Sequence, residues 1–183
     1  ASPVSAATPG TTTMPAGAGA ALLKLAGPIL RRVRALCGRY GRMGLFIDSS
    51  DAKEIKELFA WGVLSGVTTN PLIITRESPN ADLAEVIREI LSVSMGDVSV
   101  ELTTETEAQM LDEALGYHQW DSQRIVIKVP FSETGLRVQH QLVKRGIKTN
   151  VTCLMAMNQA YLAALGGATY VSLFSGRVRD MGY

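Results

Sequence analysis

No aspartate or glutamate occurs in the first 47 residues of this 183-residue chain, yet six of its eighteen basic residues fall there. These are Lys24, Arg31, Arg32, Arg34, Arg39 and Arg42. The remainder therefore holds twelve bases against all seventeen acids, and a mildly acidic body gives no support for nucleic-acid binding. Cysteine is scarce too. Cys37 and Cys153 lie far apart and suggest no disulfide framework, which points to reduced thiols inside a cell. No run of 18 apolar residues exists, so no membrane span is expected. His, Cys, Asp and Glu do not cluster at ligand spacing, and no metal is expected.

What is present divides at about Met43. Residues 1–20 are Ala, Gly, Ser, Thr and Pro apart from Val4 and Met14, with almost nothing to bury, and disorder is expected there. Residues 21–37 suit a basic amphipathic helix bent near Gly27-Pro28. Three readings of this leader, residues 1–43, stay open: an organellar transit peptide over residues 1–42, upstream sequence ahead of a natural start at Met43, or a basic helix that tethers the domain to an anionic membrane surface. The first implies an organelle and the second the cytoplasm.

From Gly44 the pattern becomes strand–helix alternation. Strands are expected at 44–48, 65–69, 97–101, 124–129, 147–152 and 169–174. Helices are expected at 51–61 with Ser49 or Ser50 as cap, at 81–93 with Asn80 as cap, and at 105–117, 134–145 and 154–165. Such alternation means an α/β protein with a parallel sheet and its helices outside. A doubly wound sheet is the default, but no Gly-x-Gly-x-x-Gly turn follows the first strand. Instead a polar residue stands at nearly every strand's carboxyl end: Asp48, Asn70, Glu101, Lys128, Thr152. A (β/α)8 TIM-type barrel gathers its chemistry there. The parity agrees, because Ser99 shares a face with Glu101, Asn150 with Thr152, and Ser172 with Phe174.

The strand Arg124-Ile-Val-Ile-Lys-Val-Pro130 organises the rest. Ile125, Ile127 and Val129 point one way, Val126 and Lys128 the other. Burying an ammonium costs free energy, and a neutral amine is the nucleophile that forms a Schiff base with a ketone. The competing reading is a strand-end lysine whose stem is buried while its head reaches water. Each other candidate has a plain alternative as well. Asp48 would serve as a turn or cap residue, Glu101 as a satisfied strand-end carboxylate, and Arg177 as a surface cation. Asn70-Pro71 is turn chemistry wherever it occurs, and Thr152 is a good strand former. His118 and His140 read as solvated helix-region residues.

Taken together, Leu45-Phe-Ile-Asp48, Gly66-Val-Thr-Thr-Asn70-Pro71, Val100-Glu101 and Ile125-Val-Ile-Lys128-Val-Pro130 make an ordered set. Gly146-Ile-Lys-Thr-Asn150-Val-Thr152 and Gly167-Ala-Thr-Tyr-Val-Ser172-Leu-Phe-Ser-Gly-Arg177-Val complete it. In this order the chain from Gly44 to Asp180 resembles the transaldolase family, in its short bacterial-type branch. The resemblance implies transfer of a dihydroxyacetone unit between sugar phosphates through a Schiff base on Lys128, without a cofactor. It implies that Asp48 moves the proton of the fourth-carbon hydroxyl, and that Glu101 and Thr152 hold a proton-shuttling water. Asn70, Asn150 and Ser172 resemble contacts to the three-carbon unit, and Arg177 the phosphate-binding guanidinium. The related fructose-6-phosphate aldolase carries Gln and Tyr where this chain has Glu101 and Phe174, which favours transfer over release of a free ketone. A homo-oligomer is compatible with all of this. A (β/α)8 barrel has eight units, so the sequence to Tyr183 is expected to form one truncated after the sixth strand. A vestigial, non-catalytic barrel fragment is the alternative to an enzyme.

Overall fold

The computed structural model describes residues 44–182 apart from Ser78 and Asn80, so the leader at 1–43 lies outside the described residues. Six strands form one parallel sheet in sequence order. They are β1 (Leu45–Asp48), β2 (Leu64–Thr68), β3 (Asp97–Glu101), β4 (Ile125–Pro130), β5 (Thr149–Leu154) and β6 (Tyr170–Leu173). Between them run α1 (Ala52–Ala60), α2 (Pro71–Glu77), α3 (Leu83–Val93), α4 (Glu107–His118), α5 (Glu133–Lys144) and α6 (Met157–Leu165), and α7 (Ser175–Asp180) follows β6.

The alternation of side chains builds two layers. Val67, Val98, Val100, Ile125, Ile127 and Val129 bury their side chains in the main core, with Ile55, Phe59, Val86, Ile87, Ile90, Met110, Val138 and Leu142. Each such aliphatic group contributes about 1.5–3 kcal/mol by leaving water. The other face is polar and concave. Phe46 on β1 and Tyr170 on β6 meet edge to face with ring centroids 5.1 Å apart, although their strands lie at opposite ends of the sheet. Only a curled sheet brings those edges together. The Tyr170 hydroxyl donates to Asp97 Oδ2 at 2.8 Å, and Lys148 Nζ reaches Asp97 Oδ1 at 2.7 Å, so β3, the start of β5 and β6 are tied across the hollow. Burial and the Asp97 carboxylate push the Tyr170 phenol up to about 12. The architecture is thus the expected α/β one, six strand–helix units of a (β/α)8-type barrel.

Several boundaries differ from the expectation for local reasons. Asp51 caps α1 by accepting the Lys53 and Glu54 amides at 2.8 and 3.4 Å. Ser49 and Ser50 do not cap it; their hydroxyls donate to Glu54 and Glu77 at 2.7 Å each, and Ser49 Oγ accepts the Asp51 amide at 3.1 Å. Helix α3 starts at Leu83 with Asp82 as its cap, while the expected cap Asn80 lies outside the described residues. Asn70-Pro71 does more than stop a strand. Proline is tolerated at a helix's first position, and Asn70 Oδ1 accepts the Ile73 amide at 2.9 Å, which starts the unexpected α2. His118 is half-buried on α4 rather than solvated; His140 is exposed.

One glycine marks where two strands approach most closely. A Cβ on Gly96 would stand 2.0 Å from the Ser65 carbonyl oxygen, which belongs to the backbone of the neighbouring segment. The chain must part there to admit a methyl group. Gly96→Ala is therefore expected to destabilise the fold by about 2–3 kcal/mol. Urea unfolding measures this, and an unchanged midpoint would show that the close approach carries no constraint.

Candidate active site

Lys128 stands directly opposite Glu101 in the β3–β4 register and opposite Asn150 in the β4–β5 register, so all three side chains enter the concave face. Lys128 is only 6% exposed. Its Nζ lies 3.0 Å from Glu101 Oε2 and donates to the Thr69 carbonyl oxygen at 3.0 Å. The amine is thus buried with two partners instead of reaching water as a strand-end lysine would. Its desolvation is met by a carboxylate and a carbonyl dipole.

An open cleft of about 580 Å³ lies at the carboxyl ends of the strands. Asp48, Asn70, Glu101, Lys128, Phe174 and Arg177 all line it, six of the nine residues singled out from the sequence. Asp48 is exposed and accepts the Thr68 hydroxyl at 3.0 Å. Asn70 uses its amide oxygen to start α2, which leaves its NH2 as the end not committed to the helix. Arg177 is exposed on α7 and Phe174 half-buried just before it.

The other three candidates do not line the cleft. Asn150 is buried, accepts the Ser172 hydroxyl at 2.9 Å on Oδ1, and approaches Ser99 Oγ at 3.4 Å through Nδ2. Thr152 is fully buried, and its hydroxyl has no partner among the described residues. These side chains share the concave face without reaching the surface of the cleft.

Two contributors escaped the sequence reading. Thr69 acts through its backbone carbonyl, which side-chain patterns do not report. Cys153 lines the cleft although strict alternation from Thr152 turns it outward. The pairing of β5 with β6 shifts between Val151 and Leu154, and Cys153 adopts a left-handed φ of 61°. That irregularity lets Val151 and Leu154 pack in one outer cluster with Ala160 and Ala163 although they are three residues apart. Burial pushes the Cys153 thiol up, Glu101 adds to this, and Lys128 opposes it, so the group is held as a thiol rather than a nucleophilic thiolate.

A curled parallel sheet with charged side chains gathered round a cleft at the strand carboxyl ends defines a (β/α)8-type barrel protein. Residues 45–182 match the family described as transaldolase/fructose-6-phosphate aldolase, and the chain belongs to that family. It is 48% identical over 143 residues to a probable transaldolase of Clostridium tetani, covering 76% of this chain and 64% of that protein. It is 44% identical over 140 residues to probable transaldolases of Caldicellulosiruptor saccharolyticus and Streptococcus agalactiae, covering 76% of this chain in both cases and 63% and 64% of those proteins. The chain thus spans a little under two thirds of the length of these curated relatives. Among the described residues no helix is long and apolar enough to cross a membrane.

Proposed function

We propose that the protein transfers a dihydroxyacetone unit between sugar phosphates, taking sedoheptulose 7-phosphate and glyceraldehyde 3-phosphate to erythrose 4-phosphate and fructose 6-phosphate. The observation that carries this reading is a buried Lys128 with Glu101 at 3.0 Å, opening onto a cleft shared with Asp48 and Arg177. Lys128 Nζ attacks the C2 carbonyl of the ketose, and the carbinolamine loses water to leave an iminium. Glu101 takes the proton that the amine sheds, with Thr152 sharing the water that carries it. Asp48 removes the proton of the C4 hydroxyl. The C3–C4 bond then breaks, the aldehyde leaves, and its electron pair enters the iminium as an enamine. Return of these steps onto a second aldehyde completes transfer, and hydrolysis frees Lys128.

Asn70, Asn150 and Ser172 would serve the hydroxyls of the three-carbon unit, and Arg177 the phosphate, as a permanently charged fork suited to a dianion. Phe174 offers no phenolic proton to quench the enamine, which favours waiting for an acceptor over release of a ketone. In this reading residues 44–183 are the catalytic domain, residues 1–43 a leader, and the compartment the cytoplasm. A second reading, that of an aldolase which releases the three-carbon ketone without an acceptor, is supported by a family description that includes both activities.

The test is borohydride reduction of the protein with fructose 6-phosphate, followed by peptide mass spectrometry. An adduct on Lys128 is expected, together with release of glyceraldehyde 3-phosphate when fructose 6-phosphate and erythrose 4-phosphate are run in the reverse sense. Repeated release of glyceraldehyde 3-phosphate from fructose 6-phosphate with no acceptor aldehyde present selects the second reading. A folded sample with no adduct on Lys128 sinks both.

A further inference from the structure

Away from the cleft, on the helix that follows β3, one carboxylate collects an unusual number of donors. Glu113 Oε1 accepts the Thr103 hydroxyl at 2.8 Å and the Tyr117 hydroxyl at 2.6 Å. Its Oε2 accepts the Thr104 amide at 3.1 Å and the Thr104 hydroxyl at 2.7 Å, and the Thr103 amide lies 3.1 Å from both oxygens. A carboxylate offers about four lone-pair sites, and here they are filled by both the main chain and the side chains of two consecutive residues. Burial pushes the Glu113 carboxyl up, but the Tyr117, Thr104 and Thr103 hydrogen bonds outweigh it and hold the group below the usual carboxylate range.

The gripped residues come just after Glu101. Between them Leu102 is buried and donates its amide to the Lys128 carbonyl oxygen at 2.9 Å, continuing the β3–β4 ladder. The strand end that bears Glu101 is thus held from one side by the ladder and from the other by Glu113. We infer that Glu113 is a positioning residue, which keeps the Glu101 carboxylate against the Lys128 amine by clamping the Thr103-Thr104 turn. The competing account is a loop staple that contributes stability alone. The two differ in one respect: a positioning residue is coupled to Glu101, whereas a staple is not.

The geometric half of this inference needs no substrate, and the catalytic half rests on the transaldolase reading above. Both halves are measured on the full chain. Reductive methylation with formaldehyde and cyanoborohydride reports how far Glu101 covers the amine, as the labelling rate of Lys128 relative to the exposed Lys56. Glu113→Gln removes one charged oxygen from the clamp, and Lys128 labelling is expected to rise about threefold, as in Glu101→Gln. In the Glu101→Gln background the second substitution should add nothing. Additive effects, or a Glu113→Gln variant that lowers the melting temperature while labelling stays at the wild-type rate, overturn the inference. Thr104→Val removes a single hydroxyl donor and keeps the conclusion testable if Glu113→Gln does not fold; a smaller rise in the same direction is expected, and no rise counts against it.

The second readout is the rate of ketose trapping, which should fall about tenfold in Glu113→Gln and not further when combined with Glu101→Gln. A wild-type chain that traps no ketose removes the transaldolase reading, yet the labelling cycle still decides whether Glu113 governs Glu101.

Discussion

Lys128→Met is expected to take borohydride trapping of fructose 6-phosphate to background, because no other amine of the cleft lining can form the imine. The same substitution has a second effect that must be separated from the first. It leaves the Glu101 carboxylate without its cation, and the two side chains are only 7% and 15% exposed. Breaking a largely buried pair by removing one partner costs about 3 kcal/mol, since the remaining charge is uncompensated. The Thr69 carbonyl loses its donor as well. Loss of trapping in Lys128→Met alone could therefore be credited to a loosened site. Combining it with Glu101→Gln discharges the carboxylate. The double variant should regain much of the thermal stability and none of the trapping. An adduct that persists elsewhere in the cleft of that variant would move the nucleophile away from Lys128.

Asp48→Ala is expected to separate capture from cleavage. Asp48 is exposed and its hydrogen bond comes from the Thr68 hydroxyl, so its removal should change stability by no more than about 0.5 kcal/mol. In the proposed mechanism imine formation at Lys128 does not call on it, and trapping should survive. Breaking the C3–C4 bond calls on it in that same mechanism, and release of glyceraldehyde 3-phosphate should fall by about 10²- to 10⁴-fold, the range for loss of a positioned acid–base group. Trapping that disappears along with cleavage would mean that Asp48 shapes the binding of the ketose instead of moving its proton.

Much of this arrangement was legible because strand alternation is a strict rule. Asp48, Glu101 and Lys128 each end a short apolar strand, and the parity of β3, β4 and β5 puts Glu101, Lys128 and Asn150 on one face before any coordinates are known. Register is not legible in that way. That Lys128 faces Glu101 at 3.0 Å depends on how far β4 slides against β3, which turns and helix packing settle together. Depth along the strand is hidden for the same reason, and Asn150 and Thr152 proved buried while Asp48 proved exposed. Cys153 was invisible because an extra residue in β5 resets the alternation, and nothing in Val151-Thr-Cys-Leu154 announces it. Cap choice failed between near equals: Ser49, Ser50 and Asp51 are all good caps, and only where the helix begins puts Asp51 against the Lys53 and Glu54 amides.

The contact between Phe46 and Tyr170 has a consequence for how the chain comes to be made. Tyr170 lies 124 residues after Phe46, so the ring pair waits for all the chain between them to be synthesised. Pairings that distant in sequence form slowly, because a large loop must be closed before any contact rewards it. Until Tyr170 emerges, Phe46 lacks its ring partner and Asp97 a phenol to bind, which makes the growing polypeptide a natural client for chaperones during translation.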